Sequence, residues 1–149
     1  MKIYFAAPLF TMAERQWNWL MAAELRKLGH EVFLPQDNEP RDLTAENIFK
    51  SDVAGIDWAE VVVAVMDGPD PDSGTCWEVG YAYAKGKPII TVRTDFRGSG
   101  EGGLAPFNLM LSESSTVLNL NSLIYLSASG VADIISFRLK HFIAAKESK

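Results

Sequence analysis

The stretch Val61-Val62-Val63-Ala64-Val65-Met66 is apolar at every position. A strand with one face in water alternates polar and apolar residues; a strand without that alternation is covered on both faces, as parallel strands are. Residues 61–66 are therefore expected to form the central strand of a parallel sheet. The segment that follows, Asp67-Gly68-Pro69-Asp70-Pro71-Asp72-Ser73-Gly74, reads as neither helix nor strand, and the next helix is expected to start near Thr75 and end at Gly86 after Lys85. Residues 88–92 read as a fourth strand. On the other side, a helix from about Thr44 to Trp58 is preceded by a polar loop at 36–42 and by a strand at 31–34 that Pro35 ends.

The alternation continues to both ends. Residues 2–5 form a short apolar strand, and Thr11 with Glu14 three positions on makes a capping box that starts a helix. Trp17, Leu20, Met21, Leu25 and Leu28 repeat at helical spacing, and Gly29 stands where a left-handed C-terminal residue is needed. Residues 93–106 read as a glycine-rich loop and 116–120 as a short strand, and Ile134, Ile135, Phe137, Leu139 and Phe142 mark a terminal amphipathic helix. Strands alternating with helices imply right-handed crossovers. The expected architecture is one α/β domain over residues 1–149, a flavodoxin-like doubly wound sandwich with a central parallel five-stranded sheet. Ligands in such sheets bind at the carboxyl ends of the strands beside the switch point, which directs attention to the loops 6–10 and 67–75.

Composition removes several function classes. The 149 residues are 48% hydrophobic and 22% charged, which describes an ordinary globular domain. The single cysteine, Cys76, excludes an intramolecular disulfide, and the longest apolar run falls far short of the roughly 20 residues of a membrane helix. Residues 3–10 are apolar after Lys2, yet one lysine is a poor start for a signal peptide and the run stops at Thr11, so a buried strand and a cytoplasmic protein are expected. Fourteen Lys and Arg against nineteen Asp and Glu give a net charge of −5, which repels a nucleic-acid polymer. Gly98, Gly100 and Gly103 spell G-x-G-x-x-G, but Ala105-Pro106 stands where a helix would begin, so the segment reads as a glycine-rich lid. Asp67, Asp70 and Asp72 match no calcium-loop spacing, and no metal is expected.

The chemistry-bearing candidates are carboxylates. Asp52 lies four residues from both Ile48 and Ile56, on the apolar face of its helix, where an acid either pairs locally, for instance with Lys50, or serves a function. Glu78 falls in the expected first turn of its helix, where free N–H groups stabilise the anion; that suits a nucleophile and equally describes inert first-turn glutamates. Asp72 precedes it by six residues. Carboxylates around one cleft are the equipment of glycosidic-bond chemistry, one attacking the anomeric carbon and another handling protons. Tyr4, on the first strand, is either core or a hydrogen-bond donor to the attacking acid. Cys76 has no local base, with His30 and His141 outside the candidate loops, and reads as a buried small residue.

These residues carry a resemblance. Ile3-Tyr4-Phe5, then Asp52, then Asp72 with Glu78-Val79-Gly80-Tyr81-Ala82, then Asn108-Leu109-Met110, in that order, resemble the nucleoside 2-deoxyribosyltransferase family over most of the chain. The resemblance implies a flavodoxin-like fold and a double displacement between deoxyribonucleosides and free nucleobases without a cofactor. It assigns Glu78 as the nucleophile, Tyr4 as the residue that orients it, Asp52 as proton donor to the base, and Asp72 to the sugar hydroxyls. Leu9 and Phe10 resemble the lining of the base pocket, and Gly74 is grouped with the substrate-binding residues. Asn108 and Met110 resemble a pair donated by a neighbouring subunit, Asn108 towards the 5′-hydroxyl, which implies a homo-oligomer, dimer-based and hexameric in many members. One departure concerns the loop after the second strand, where the family often has Gln against the base and Glu39 stands here. Two rivals remain: an N-glycosidase of deoxynucleoside 5′-monophosphates, and a nucleoside-sensing module without turnover. The first needs a phosphate site, for which Arg15 or the segment 112–115 are the candidates, whereas Ala6-Ala7-Pro8-Leu9-Phe10 offers an apolar wall.

Overall fold

The computed structural model of the chain describes residues 1–100, 103–122 and 126–147. Its strands are β1 (Lys2–Ala6), β2 (Glu31–Phe33), β3 (Val61–Val65), β4 (Ile89–Arg93) and β5 (Thr116–Asn119), and its helices are α1 (Met12–Lys27), α2 (Ala45–Trp58), α3 (Ser73–Ala84), α4 (Leu109–Glu113) and α5 (Ala128–Glu147). The strands form one sheet in the order β2-β1-β3-β4-β5, parallel at every pairing. This is the flavodoxin-like order the alternation predicts, with the fully buried β3 at its centre.

Successive residues of a strand point to opposite faces, and here the two faces bury different helices. Ile3, Phe5, Val63 and Val65 pack with Met21 and Leu25 of α1 and with Val131, Ile135 and Leu139 of α5. Tyr4, Ala6, Val62 and Ala64 pack instead with Ile56 of α2 and Val79 and Ala82 of α3. The alternation thus commits Tyr4 to the α2–α3 side. α1 starts as read: Thr11 Oγ1 accepts from Glu14 N at 3.2 Å and Glu14 Oε2 accepts from Thr11 N at 2.7 Å. Beyond its end Gly29 takes φ +86°, a conformation a side chain resists.

Four expectations need correction. α3 begins at Ser73, because the Asp72 side chain caps it, so Ser73 and Gly74 are helical rather than loop. Leu20, Leu28 and Phe137 are exposed, and α1 buries the polar Asn18, whose Nδ2 donates to Pro8 O at 2.8 Å. Residues 35–37 form a single 3-10 turn within the segment read as loop. Finally, α4 has no counterpart in the sequence reading; at five residues it is too short to carry a period.

Arg93 ends β4 and not the loop, and it is 1% exposed. Its guanidinium donates to the carbonyls of Met66, of Gly68 at 3.2 Å and of Arg97 at 2.8 Å. Asp67 accepts from Thr94 N at 2.6 Å, Thr94 Oγ1 at 2.5 Å and Asp95 N at 2.9 Å. Together these bonds clasp the loops after β3 and β4 to one another. Asp67 is thereby engaged, and among the described residues no group of three His, Cys, Asp or Glu is placed to hold a metal. No described helix is long and apolar enough to cross a membrane. Arg93→Met strands several carbonyls without a donor and is expected to cost at least about 2 kcal/mol; a urea midpoint unchanged from the parent contradicts this account of the clasp.

Candidate active site

Three of the four predicted acid and phenol residues come from separate elements on the α2–α3 side. Tyr4 stands in the middle of β1, Asp52 in the third turn of α2 and Glu78 in α3, while Asp72 is the residue that caps α3. The Tyr4 ring is wholly buried and lies on Phe33, with centroids 5.4 Å apart and planes at 18°. A buried hydroxyl requires a partner. It donates to Glu78 Oε1 at 2.5 Å, closing a contact between residues 74 positions apart in the chain.

Glu78 is not in the first turn. Counted from the Asp72 cap it is the sixth residue of α3, beyond the free N–H groups on which the sequence argument relied. Burial acts in the opposite sense. It pushes the Glu78 carboxyl up to about 7; the Tyr4 hydrogen bond pulls against this, and the charges of Asp52 and Asp72 add to it. Asp52 is half-buried and raised to about 6 by the same loss of solvent. Its local-pairing alternative does not occur, since Lys50 turns instead to Glu46 at 2.5 Å. Burial, then the neighbouring Glu78, raises Tyr4 far above the ordinary phenol value, so it stays protonated and remains a donor.

Asp72 has two duties. Its Oδ2 accepts from Thr75 N at 2.9 Å and Thr75 Oγ1 at 3.2 Å, which starts α3, and its charge reaches Glu78. A Cβ on Gly74 would stand 3.1 Å from that same Oδ2, tight against the cap. Cys76 is half-buried with its thiol pushed up by burial and by Asp72 and Asp70, which disfavours the thiolate.

The remaining predicted residues lie at the surface. Leu9 is half-buried and Phe10 is 76% exposed, on the loop that leaves β1. Glu39 faces Arg15 at 3.8 Å, both half in solvent. Asn108 is exposed and its Oδ1 caps α4 by accepting from Met110 N at 3.0 Å, with Met110 itself 73% exposed. Sequence reasoning missed Phe33 and Gly55. Gly55 is buried in α2, and a Cβ there would meet the Phe33 ring at 2.7–2.8 Å. A glycine inside a helix is the signal that was available for it.

Residues 3–120 match the family model described as nucleoside 2-deoxyribosyltransferase. The chain belongs to the nucleoside 2-deoxyribosyltransferase family. Among solved structures, a conserved protein from Enterococcus faecalis V583 is similar with TM-score 0.73 and 27% identity, over 93% of this chain and 98% of that one. A 2-deoxyribosyltransferase from the psychrotolerant Bacillus psychrosaccharolyticus gives TM-score 0.65 and 30% identity, over 85% and 93% of the two chains. A CMP N-glycosidase from Clostridium botulinum shares the fold at TM-score 0.62 and 21% identity, over 91% of this chain and 99% of that one. None of the curated proteins matches the chain in sequence. For a nucleoside 2-deoxyribosyltransferase family member, family and fold place the chain among glycosyl-transferring enzymes.

The half-buried acid has a cost that depends on pH. Glu78 holds its proton more tightly folded than unfolded, so stability is greatest below its ordinary value of 4.5 and falls as pH rises through about 7. The full loss is about 3 kcal/mol. Glu78→Gln is therefore expected to melt above the parent at pH 8, with the gap closing towards pH 4.5 in thermal denaturation; a gap independent of pH contradicts the assignment of that cost to Glu78.

Proposed function

We propose that this protein moves a 2-deoxyribosyl group between nucleobases by a retaining double displacement in which Glu78 carries the sugar. The observation that carries the reading is the half-buried Glu78 carboxyl with the Tyr4 hydroxyl on one of its oxygens at 2.5 Å. A carboxyl that ionises near pH 7 away from water is a stronger nucleophile than a solvated one, and a donor fixed on Oε1 sets the direction of the other oxygen.

In the first step a Glu78 oxygen bonds to C1′ and the C1′–N bond breaks, its electron pair leaving with the base. Asp52, raised to about 6, gives that base a proton. In the second, a nitrogen of another base attacks C1′ from the opposite face, the ester bond to Glu78 breaks, and the proton of the incoming base passes to Asp52. Two inversions retain the β configuration. Asp72, with its Oδ2 on the α3 cap, takes the sugar hydroxyls through its other oxygen. Leu9 and Phe10 supply an apolar wall for the base, and Gly74 leaves room beside the Asp72 carboxylate. Glu39 with Arg15 faces the base edge and bears on the choice of base. Asn108 and Met110, exposed at the start of α4, complete the site of a neighbouring copy in a homo-oligomer.

The test is base exchange. With 2′-deoxyinosine and adenine the protein is expected to form deoxyadenosine and free hypoxanthine by chromatography, and Glu78→Ala to lower the rate by more than about 10³-fold. Exchange that survives Glu78→Ala overturns the nucleophile, and base release confined to deoxynucleoside monophosphates makes the protein an N-glycosidase. Binding without turnover would make it a sensing module.

The reactive form carries Glu78 ionised and Asp52 still protonated, so kcat/KM is expected to be bell-shaped with limbs near pH 6 and pH 7, the upper one following the proton affinity of Glu78. Asp52→Asn leaves Glu78 as the one ionisation of the pair, so the fall above pH 7 is expected to disappear while exchange slows by about 10²–10⁴-fold. A fall above pH 7 that survives Asp52→Asn contradicts the role of Asp52 as proton donor.

A further inference from the structure

Behind the Tyr4–Glu78 pair lies a stack that reaches the backbone of α2. Tyr4 and Phe33 are direct neighbours across β1 and β2, both turned to the α2–α3 side, with rings 5.4 Å apart and nearly parallel. On the far side of Phe33 the ring edge meets α2 at Gly55, where an added Cβ would come within 2.7–2.8 Å of three ring carbons. That is closer than carbon atoms approach, so any side chain at 55 must displace the ring. Trp58, one turn later in α2, closes the same ring at a centroid distance of 6.4 Å. The helix, Phe33, Tyr4 and Glu78 thus form one continuous packed line. Glycine in a helix interior is unfavourable by roughly 1 kcal/mol against alanine, and the three nearest atoms to a Cβ at 55 all belong to the Phe33 ring.

We infer that Gly55 and Phe33 are positioning residues for the nucleophile: they set where the Tyr4 ring lies and, through its hydroxyl, where the Glu78 carboxyl points. The inference rests on the reading of Glu78 as nucleophile given above. Their action on Glu78 runs through the Tyr4 ring, so their effect is expected on kcat and not on KM. A shift of well under an ångström in an attacking group is enough to slow a displacement severalfold or more.

The experiment is a double-mutant cycle in base exchange with 2′-deoxyinosine and adenine, using Gly55→Ala, Tyr4→Phe and the two together. Gly55→Ala alone is expected to lower kcat by about tenfold with KM within about twofold of the parent. In the Tyr4→Phe background, where no hydroxyl remains to be misplaced, it is expected to add less than about a twofold loss. Equal losses in both backgrounds, or no loss in either, overturn the inference. Phe33→Leu removes the stacking ring without adding volume and is carried through the same cycle, so a failure of Gly55→Ala to fold leaves the test intact; additivity there overturns the inference equally. A second readout is the limb of kcat/KM near pH 7. The groups that face Glu78 are Tyr4 from β1, Asp52 from α2 and the Asp72 cap, and only the Tyr4 bond lowers its proton affinity. Gly55→Ala is therefore expected to move the limb upward, and a limb left in place counts against the relay. If Glu78→Ala retains exchange, the nucleophile reading itself has failed; if it abolishes exchange while the cycle is additive, only the relay has.

Discussion

The hydrogen bond from Tyr4 to Glu78 is the contact on which the arrangement of this protein depends. A phenol in the middle of a buried strand cannot be left without an acceptor, and a carboxyl on the inner side of a helix cannot be left without a donor. Each satisfies the other at 2.5 Å, and neither is satisfied unless α3 lies across β1 in the observed place. The same burial that makes the bond necessary raises the proton affinity of the acid to the neutral range. Structure and reactivity here have one origin, the withdrawal of a carboxyl from water.

The topology makes this contact possible. β1 and β3 are neighbours in the sheet, so the helix that follows β3 returns over the face to which Tyr4 points. Asp72 then starts that helix while standing within electrostatic reach of Glu78. At the same end of the sheet, Arg93 and Asp67 tie the loops after β3 and β4 together, which fixes the approach to α3. The site lies on a rigid platform of strands and caps, with the exposed residues Phe10, Glu39 and Met110 on the segments between them.

Most of the fold was legible because the signals were local. An unbroken apolar run at 61–66, a capping box at Thr11 and Glu14, and Gly29 past a helix end each specify a local conformation, and the strand order followed from their alternation. The candidate acids were legible too, Asp52 as a carboxylate out of place on an apolar face, Glu78 as an acid near a helix start and Asp72 by its spacing to Glu78. What was not legible depended on tertiary contact. The start of α3 moved by two residues because an aspartate read as a loop residue was a cap, and with that shift the helix-terminus argument for Glu78 gave way to a burial argument. α4 is too short to show a period. Gly55 shows in the sequence only as a glycine inside a helix, since the ring it accommodates belongs to a strand 22 positions earlier.

The acid that destabilises the folded protein at neutral pH is the one the proposed chemistry uses, which is the usual relation between active sites and stability. The most direct test of the account is to catch the sugar on that acid. The protein is incubated with 2′-deoxyinosine without an acceptor base, quenched in acid, and measured by intact-mass spectrometry followed by peptide mapping. The account predicts one deoxyribosyl adduct, on the peptide that contains Glu78, which disappears when adenine is added before the quench. Release of hypoxanthine with no adduct, or an adduct on a peptide lacking Glu78, would contradict it.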